Sequence, residues 1–383
     1  MGNERIYLSS PHMSDEGYEM QYIKEAFDTN WIAPLGENVN QFEKEICQVT
    51  GAKDAVALSA GTAALHLGLK ALDVKQGDLV FCQSLTFSAS ANPIIYQNAV
   101  PVFIDSEEET WNMSPEALET AFKKYELKGL RPKAVIVVHL YGIAAKMDEI
   151  QEICKRYDTP ILEDAAESLG TFYKGKMTGT FGDYGILSFN GNKIITSSGG
   201  GMLLCNTDNA EKMAEKARFW ATQAREPERY YQHKELGYNY RMSNIVAGIG
   251  RGQLKVLKQR VNKKREIFNY YKEAFKDIDD IEMMPLNEEK QRSNCWLTCI
   301  ILKPTCKITP LDIQIALEKE NIEARHIWKP MHMQPFYSDC DYIDNRDTSK
   351  KIFKYGVCLP SDTKMTDEDL KKVSLIVKQL WYK

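Results

Sequence analysis

Between residues 55 and 163, short β-rich runs alternate with helical stretches, and this rhythm constrains the fold more than any other feature of the chain. The runs are Ala55–Leu58, Leu79–Cys82, Pro101–Ile104, Ala134–His139 and Pro160–Glu163, with helices starting at Thr62, about Ser88 and Pro115 and a further helix over Asp148–Tyr157. Such alternation predicts an α/β fold with a mostly parallel sheet covered by helices. After Glu163 the spacing tightens. Tyr184–Phe189 and Gly201–Cys205 read as strands in a Gly-rich region. Ligands of open α/β sheets bind at the carboxyl ends of strands, so chemistry is expected on the loops there.

Residues 15–28 and 37–50 read as amphipathic helices ahead of the sheet, the first capped by Ser14. A long helical pattern runs from Ser243 to Phe275. It leads into a smaller α/β unit with a strand at Trp296–Leu302 and helices near 310–320 and 367–380. The chain of 383 residues is therefore expected to divide into a large domain, 1–254, and a small C-terminal domain, 255–383.

Composition removes several functional classes. The formal net charge of -4, without a basic stripe, argues against nucleic acid as a partner. No stretch approaches the roughly 18 apolar residues of a membrane span. The 9 cysteines are odd in number and contain no CxxC pair, and Cys295 and Cys299 fall in a strand-like run without nearby histidines. Reduced thiols, no metal site and a cytoplasmic location are the expectation.

Three motifs carry chemistry. Ser59-Ala60-Gly61-Thr62-Ala63-Ala64-Leu65 follows a strand and opens a helix, where backbone N–H groups and the Thr62 hydroxyl suit an anion. Glu163-Asp164-Ala165-Ala166-Glu167 ends an apolar strand. Asp164 could there pair with a protonated ring nitrogen, with Ala166 against the ring. Ser188-Phe189-Asn190-Gly191-Asn192-Lys193 puts a lysine on a turn between two strand-like runs, with Ser188 and Asn190 as phosphate donors. A lysine amine with a lowered pKa forms Schiff bases. Taken singly, each has an ordinary explanation: a helix cap, a turn aspartate, an exposed lysine. Together they supply what pyridoxal 5'-phosphate (PLP) requires: a phosphate cradle, a carboxylate for the pyridine nitrogen and an amine for the aldehyde.

Over nearly its whole length the chain resembles the DegT/DnrJ/EryC1/StrS family of PLP-dependent nucleotide-sugar aminotransferases, which have the fold-type I architecture. The resemblance rests on Trp31-Ile32-Ala33-Pro34-Leu35-Gly36 with Phe42-Glu43, Gly61-Thr62-Ala63-Ala64-Leu65-His66, Thr86-Phe87 and His139-Leu140-Tyr141-Gly142. It continues through Glu163-Asp164-Ala165-Ala166-Glu167, Asn192-Lys193, Gly199-Gly200-Gly201 and Gly237-Tyr238-Asn239-Tyr240-Arg241. It implies that Lys193 holds PLP and shuttles protons, that Asp164 pairs with the pyridine nitrogen, and that Phe87 and Ala166 flank the ring. Gly61, Thr62 and Ser188 would hold the phosphate, joined by Asn239 from the second subunit of a homodimer with shared sites. Glu167 departs from the Gln or His common at its position.

Ser10-Pro11-His12-Met13, Asn30–Glu43 and Arg325-His326-Ile327-Trp328-Lys329-Pro330-Met331-His332 are similar to the branch that aminates C4 of UDP-2-acetamido-4-keto-6-deoxyhexoses. The resemblance implies glutamate as amino donor and a nucleotide-sugar substrate. His12, Trp31, Arg325, His326, Trp328 and Lys329 are the candidate substrate contacts, since an Arg fork suits diphosphate and Trp suits a ring. The alternatives are another nucleotide (dTDP or GDP), amination at C3, and a regulatory protein of this fold that binds PLP without turnover. Relatives that dehydrate sugars carry His in place of the lysine, and Lys193 argues against that chemistry.

Overall fold

The computed structural model describes residues 5–381. Its centre is an eight-stranded sheet in the order Asp54–Leu58, Gly201–Cys205, Tyr184–Ser188, Ile161–Asp164, Pro132–Val138, Leu79–Gln83, Val100–Ile104, Tyr342–Ile343. Gly201–Cys205 runs antiparallel to both of its neighbours, and the pairs beyond are parallel. The strands are buried nearly throughout, as a sheet covered on both faces requires. The βα alternation read from sequence is thus present, and it sets Gln83, Val138, Asp164 and Ser188 at one end of the sheet.

A second sheet joins Ile281–Met283, Thr298–Leu302, Gly356–Leu359 and Arg325–His326, all antiparallel. A division at 254/255 is crossed in both directions. Tyr342–Ile343 extends the large sheet in parallel with Phe103 and Ile104, and Gln291–Arg292 pairs with Phe172–Tyr173. From the other side, Ile6 bridges to Ile322.

Four local expectations are corrected. The helix expected over 243–275 is two helices, Asn244–Lys255 and Leu257–Phe275, broken at Val256 (φ -101°, ψ 4°). The first packs on the N-terminal helices, where a Cβ on Gly252 would lie 2.6 Å from the Glu19 nitrogen. The second aims Arg260 at the carbonyls of His12 and Met13. The first helix, Tyr18–Asp28, follows Gly17 rather than Ser14, although the Ser14 hydroxyl still accepts the Tyr18 N–H at 3.0 Å. The helix expected from Ser88 is a short 3₁₀ turn followed by Asn92–Tyr96. Cys295 lies outside its expected strand, in a left-handed turn (φ 50°) before Thr298–Leu302. All nine cysteines are free, and among the described residues no helix is long and apolar enough to cross a membrane.

Candidate active site

The carboxyl ends of the parallel strands open into a cavity of about 380 Å³. Gly201 explains how its floor closes. It pairs with Leu58 on one side and Ser188 on the other, and a Cβ there would meet the Ala60 carbonyl carbon and the Gly61 nitrogen at 2.4 Å. Only glycine lets the turn that opens helix Gly61–Ala71 approach Ser188 so closely. That helix has no side-chain cap, so first-turn N–H groups remain for an anion at the cavity floor. Thr62 and Ser188 line the same floor.

Alternation along strand Ile161–Asp164 separates two carboxylates. Glu163 is fully buried away from the cavity and is satisfied by the Gly179 and Gly182 N–H groups and by His139 Nε2 at 2.8 Å. His139 Nδ1 accepts the Ala145 N–H, which places the ring proton on Nε2. Asp164 turns into the cavity. Ser90 Oγ donates to its Oδ2 at 2.6 Å and the Ala166 N–H to its Oδ1 at 3.2 Å. Burial pushes the Asp164 carboxyl above its ordinary range, and these two donors pull it back.

Lys193 projects into the cavity from its turn. Its Nζ lies 3.7 Å from Glu167 Oε1 and 4.2 Å from the centroid of the Trp296 ring. Glu167 is buried, its Oε2 accepts the Tyr141 N–H at 2.7 Å, and burial raises its carboxyl while Lys193 lowers it. Tyr141 is held at φ 54° for this contact, and its hydroxyl accepts the Trp328 N–H at 3.0 Å. Phe87 and Trp328 lie 5.6 Å apart and, with Trp296, form an aromatic rim.

The structure therefore brings Gly61, Thr62, Phe87, Asp164, Ala166, Glu167, Ser188, Asn190, Lys193 and Trp328 to one cavity. It does not bring the other candidates there. His12 is packed away between Thr363 and Arg260, its Nδ1 2.8 Å from Thr363 Oγ1. Arg325 forks onto Glu323, and the His326 ring lies against Phe353. Lys329 is not among the residues that line the cavity, and its carbonyl accepts Gln334 Nε2. Trp31 and Asn239 are exposed outside the cavity.

The description of the DegT/DnrJ/EryC1/StrS aminotransferase family matches residues 14–378. The chain belongs to this family. It is 54% identical over 383 residues to a protein of Bacillus subtilis (strain 168) named as a pyridoxal phosphate-dependent aminotransferase, EpsN, with 99% of this chain and 97% of the relative covered. A GDP-perosamine synthase of Caulobacter vibrioides is 34% identical, with 98% of both chains covered. A solved DegT DnrJ EryC1 StrS aminotransferase from Brucella abortus superposes with a TM-score of 0.88 at 27% identity, covering 96% of each chain. The chain is thus an aminotransferase of fold-type I, and the family is PLP-dependent.

The cavity fits that cofactor. Asp164 and Glu167 are two buried carboxylates, and Lys193 is the one basic side chain among the described lining residues. A buried carboxylate with a raised pKa is relieved by a cationic N–H such as a pyridinium. Ser90 and Trp296, both in the lining, lie outside every motif. Ser90 stands four positions past Thr86 and reads as a small helical residue. Trp296 reads as an apolar strand residue of a distant segment, and proximity to Lys193 is created only by the tertiary fold.

Proposed function

We propose that this aminotransferase moves the amino group of glutamate to the keto carbon of a nucleotide-linked ketosugar. Glutamate leaves as 2-oxoglutarate and the ketone becomes an amine, so the exchange of amino group for oxygen needs no outside oxidant. The observation that carries the reading is the convergence of Lys193, Asp164 and the uncapped helix at Gly61 on a single cavity with an aromatic rim.

In this reading Lys193 holds the aldehyde carbon of PLP and Asp164 holds its pyridine N–H. Gly61, Thr62, Ser188 and Asn190 hold its phosphate, and Phe87 and Ala166 flank its ring. The bound cofactor supplies an electron sink and carries nitrogen between the two half-reactions. Lys193 Nζ, once free, takes the proton from the glutamate Cα and later delivers one to the sugar carbon. Glu167, at 3.7 Å, balances the ammonium form of that amine. Phe87 and Trp328 offer apolar faces to a sugar ring, and together with Trp296 they exclude water around the transferred proton.

We further propose UDP-2-acetamido-4-keto-2,6-dideoxyhexose as the acceptor, aminated at C4 to give the UDP-4-amino-4,6-dideoxy-GlcNAc sugar. The motifs of residues 10–13, 30–43 and 325–332 support this choice. The named GDP-perosamine synthase relative supports GDP-linked ketosugars as the second reading. A homodimer is proposed with it. Asn239 is exposed and outside the cavity, and Trp31, Ile32, Leu35, Tyr230, Tyr231 and Leu236 are exposed apolar side chains that a second copy would cover. Free thiols accord with a cytoplasmic enzyme.

Lys193→Ala tests the core of the reading. Glutamate-dependent amination should vanish, and borohydride should no longer fix PLP to the chain. Full activity in that variant, or reduction onto another residue, would overturn it. Mass spectra of products from UDP-, dTDP- and GDP-linked ketosugars decide the nucleotide.

A further inference from the structure

Trp296 belongs to the C-terminal part of the chain, is 1% exposed, and still presents a ring face to the cavity. Its placement is enforced. Cys295 takes a left-handed conformation, and the Trp296 N–H donates to Asn294 Oδ1 at 2.9 Å. Asn294 Nδ2 in turn donates to the carbonyls of Glu167 and Leu169. The turn that carries Trp296 is thereby tied to the backbone of the carboxylate nearest Lys193.

Two contacts run from Trp296 to the lysine turn. The ring centroid lies 4.2 Å from Lys193 Nζ, within the range of a cation–π contact. The indole Nε1–H donates to the Asn192 carbonyl at 2.7 Å, one residue before the lysine. Ser9 Oγ donates to that same carbonyl at 3.0 Å from the N-terminal segment, and Lys264 Nζ donates to Ser9 Oγ at 3.0 Å. The peptide that aims Lys193 is clamped between two segments remote in sequence. A packing residue in a core needs no such pair of contacts to one turn.

We propose that Trp296 is a positioning residue for Lys193, its ring holding the amine at the cavity and its indole N–H fixing the peptide that precedes it. The inference rests on the reading of Lys193 as the PLP attachment point. It goes beyond that reading by assigning the aim of the lysine to a residue of the C-terminal part of the chain.

The test titrates apoprotein with PLP, following the bound chromophore by absorbance and free PLP by equilibrium dialysis, beside apoprotein melting curves. Trp296→Phe keeps a ring and loses the N–H, so the apparent dissociation constant should rise about three- to tenfold. Trp296→Leu loses both contacts and should weaken binding by about thirtyfold. Ser9→Ala withdraws the second donor and should weaken it about threefold. Combined with Trp296→Phe, its effect should exceed the product of the two, because they share one acceptor. A residue that serves packing alone would lower the melting temperature and leave affinity within twofold, and that result overturns the proposal. If Trp296→Leu does not fold, Trp296→Phe and Ser9→Ala decide by the same criterion. Lys193→Ala separates the two ideas. Loss of the borohydride-fixed adduct there, with unaffected Trp296 variants, removes the positioning role alone, whereas a persisting adduct removes the attachment reading itself.

Discussion

Replacing Ser90 by Ala should cripple the hold of Asp164 on its ring-nitrogen partner without touching either group. Asp164 is buried, and Ser90 Oγ is the shorter of its two hydrogen-bond donors, at 2.6 Å against 3.2 Å from the Ala166 N–H. The single proton of Ser90 is committed to the carboxylate, so Thr86 Oγ1, 2.7 Å from Ser90 Oγ, must donate in turn. A hydrogen bond to a buried charge is worth about 1.5–3 kcal/mol, which corresponds to a factor of about ten to one hundred in the acidity of Asp164. The apparent affinity for PLP and the glutamate half-reaction rate should fall by a similar factor. Breaking the outer link with Thr86→Val should cost about two- to tenfold, as expected for a bond between neutral groups. The sign of the pH effect follows from burial. The Asp164 carboxyl is already raised in the folded apoprotein, so its favourable contribution is present below the ordinary carboxylate range and is lost as pH rises through the raised value. Ser90→Ala raises that value again, so the loss should extend to higher pH in apoprotein melting curves. Stopped-flow absorbance with glutamate and calorimetric melts measure both effects. A correctly folded Ser90→Ala protein with affinity and rate within twofold of the parent would refute the reasoning.

Two further outcomes are expected. Burial lowers His66 and His332 to about 4, so each stabilises the fold above its ordinary pKa and loses that contribution as pH falls through the window from about 6.5 to 4. For His66 this amounts to up to roughly 3 kcal/mol, and for the half-buried His332 to less, because solvent screens it; melting temperatures of His66→Gln and His332→Asn should flatten over that window relative to the parent. An equally steep fall in both variants would contradict the assignment. Gly201→Ala forces a Cβ to within 2.4 Å of two backbone atoms at Ala60 and Gly61. It should lower stability by several kcal/mol and weaken PLP binding together, and an intact chromophore at the parent's melting temperature would show that the turn gives way freely.

Asp164 and Lys193 were legible in the sequence because strand-end chemistry is local: an apolar run, then a carboxylate and small residues, or a lysine on an Asn-Gly turn. Gly61 and Ser188 were legible for the same reason. His12, Arg325 and His326 stand outside the cavity, because residue type announces what a side chain can bind and not what already occupies it. Arg325 has the fork for a diphosphate, and Glu323 fills it. Ser90 and Trp296 were silent because their partners are far away in the chain. The break at Val256 was equally silent, since neither Gly nor Pro stands at it.

The eighth strand bears on how the chain is assembled. Residues 342–343 lie alongside 103–104, and the Phe103 and Asp105 N–H groups donate to the carbonyls of Asp341 and Ile343. During synthesis the other strands of the large sheet are available long before these two residues leave the ribosome, so its edge waits bare through most of translation. An unpaired edge is a template for sticking to other chains. The late strand acts as a closing seam, and contacts spanning so much sequence are slow to form. The nascent protein thus passes through a stage at which the catalytic strands can already pair but the sheet that carries them is still open to strangers.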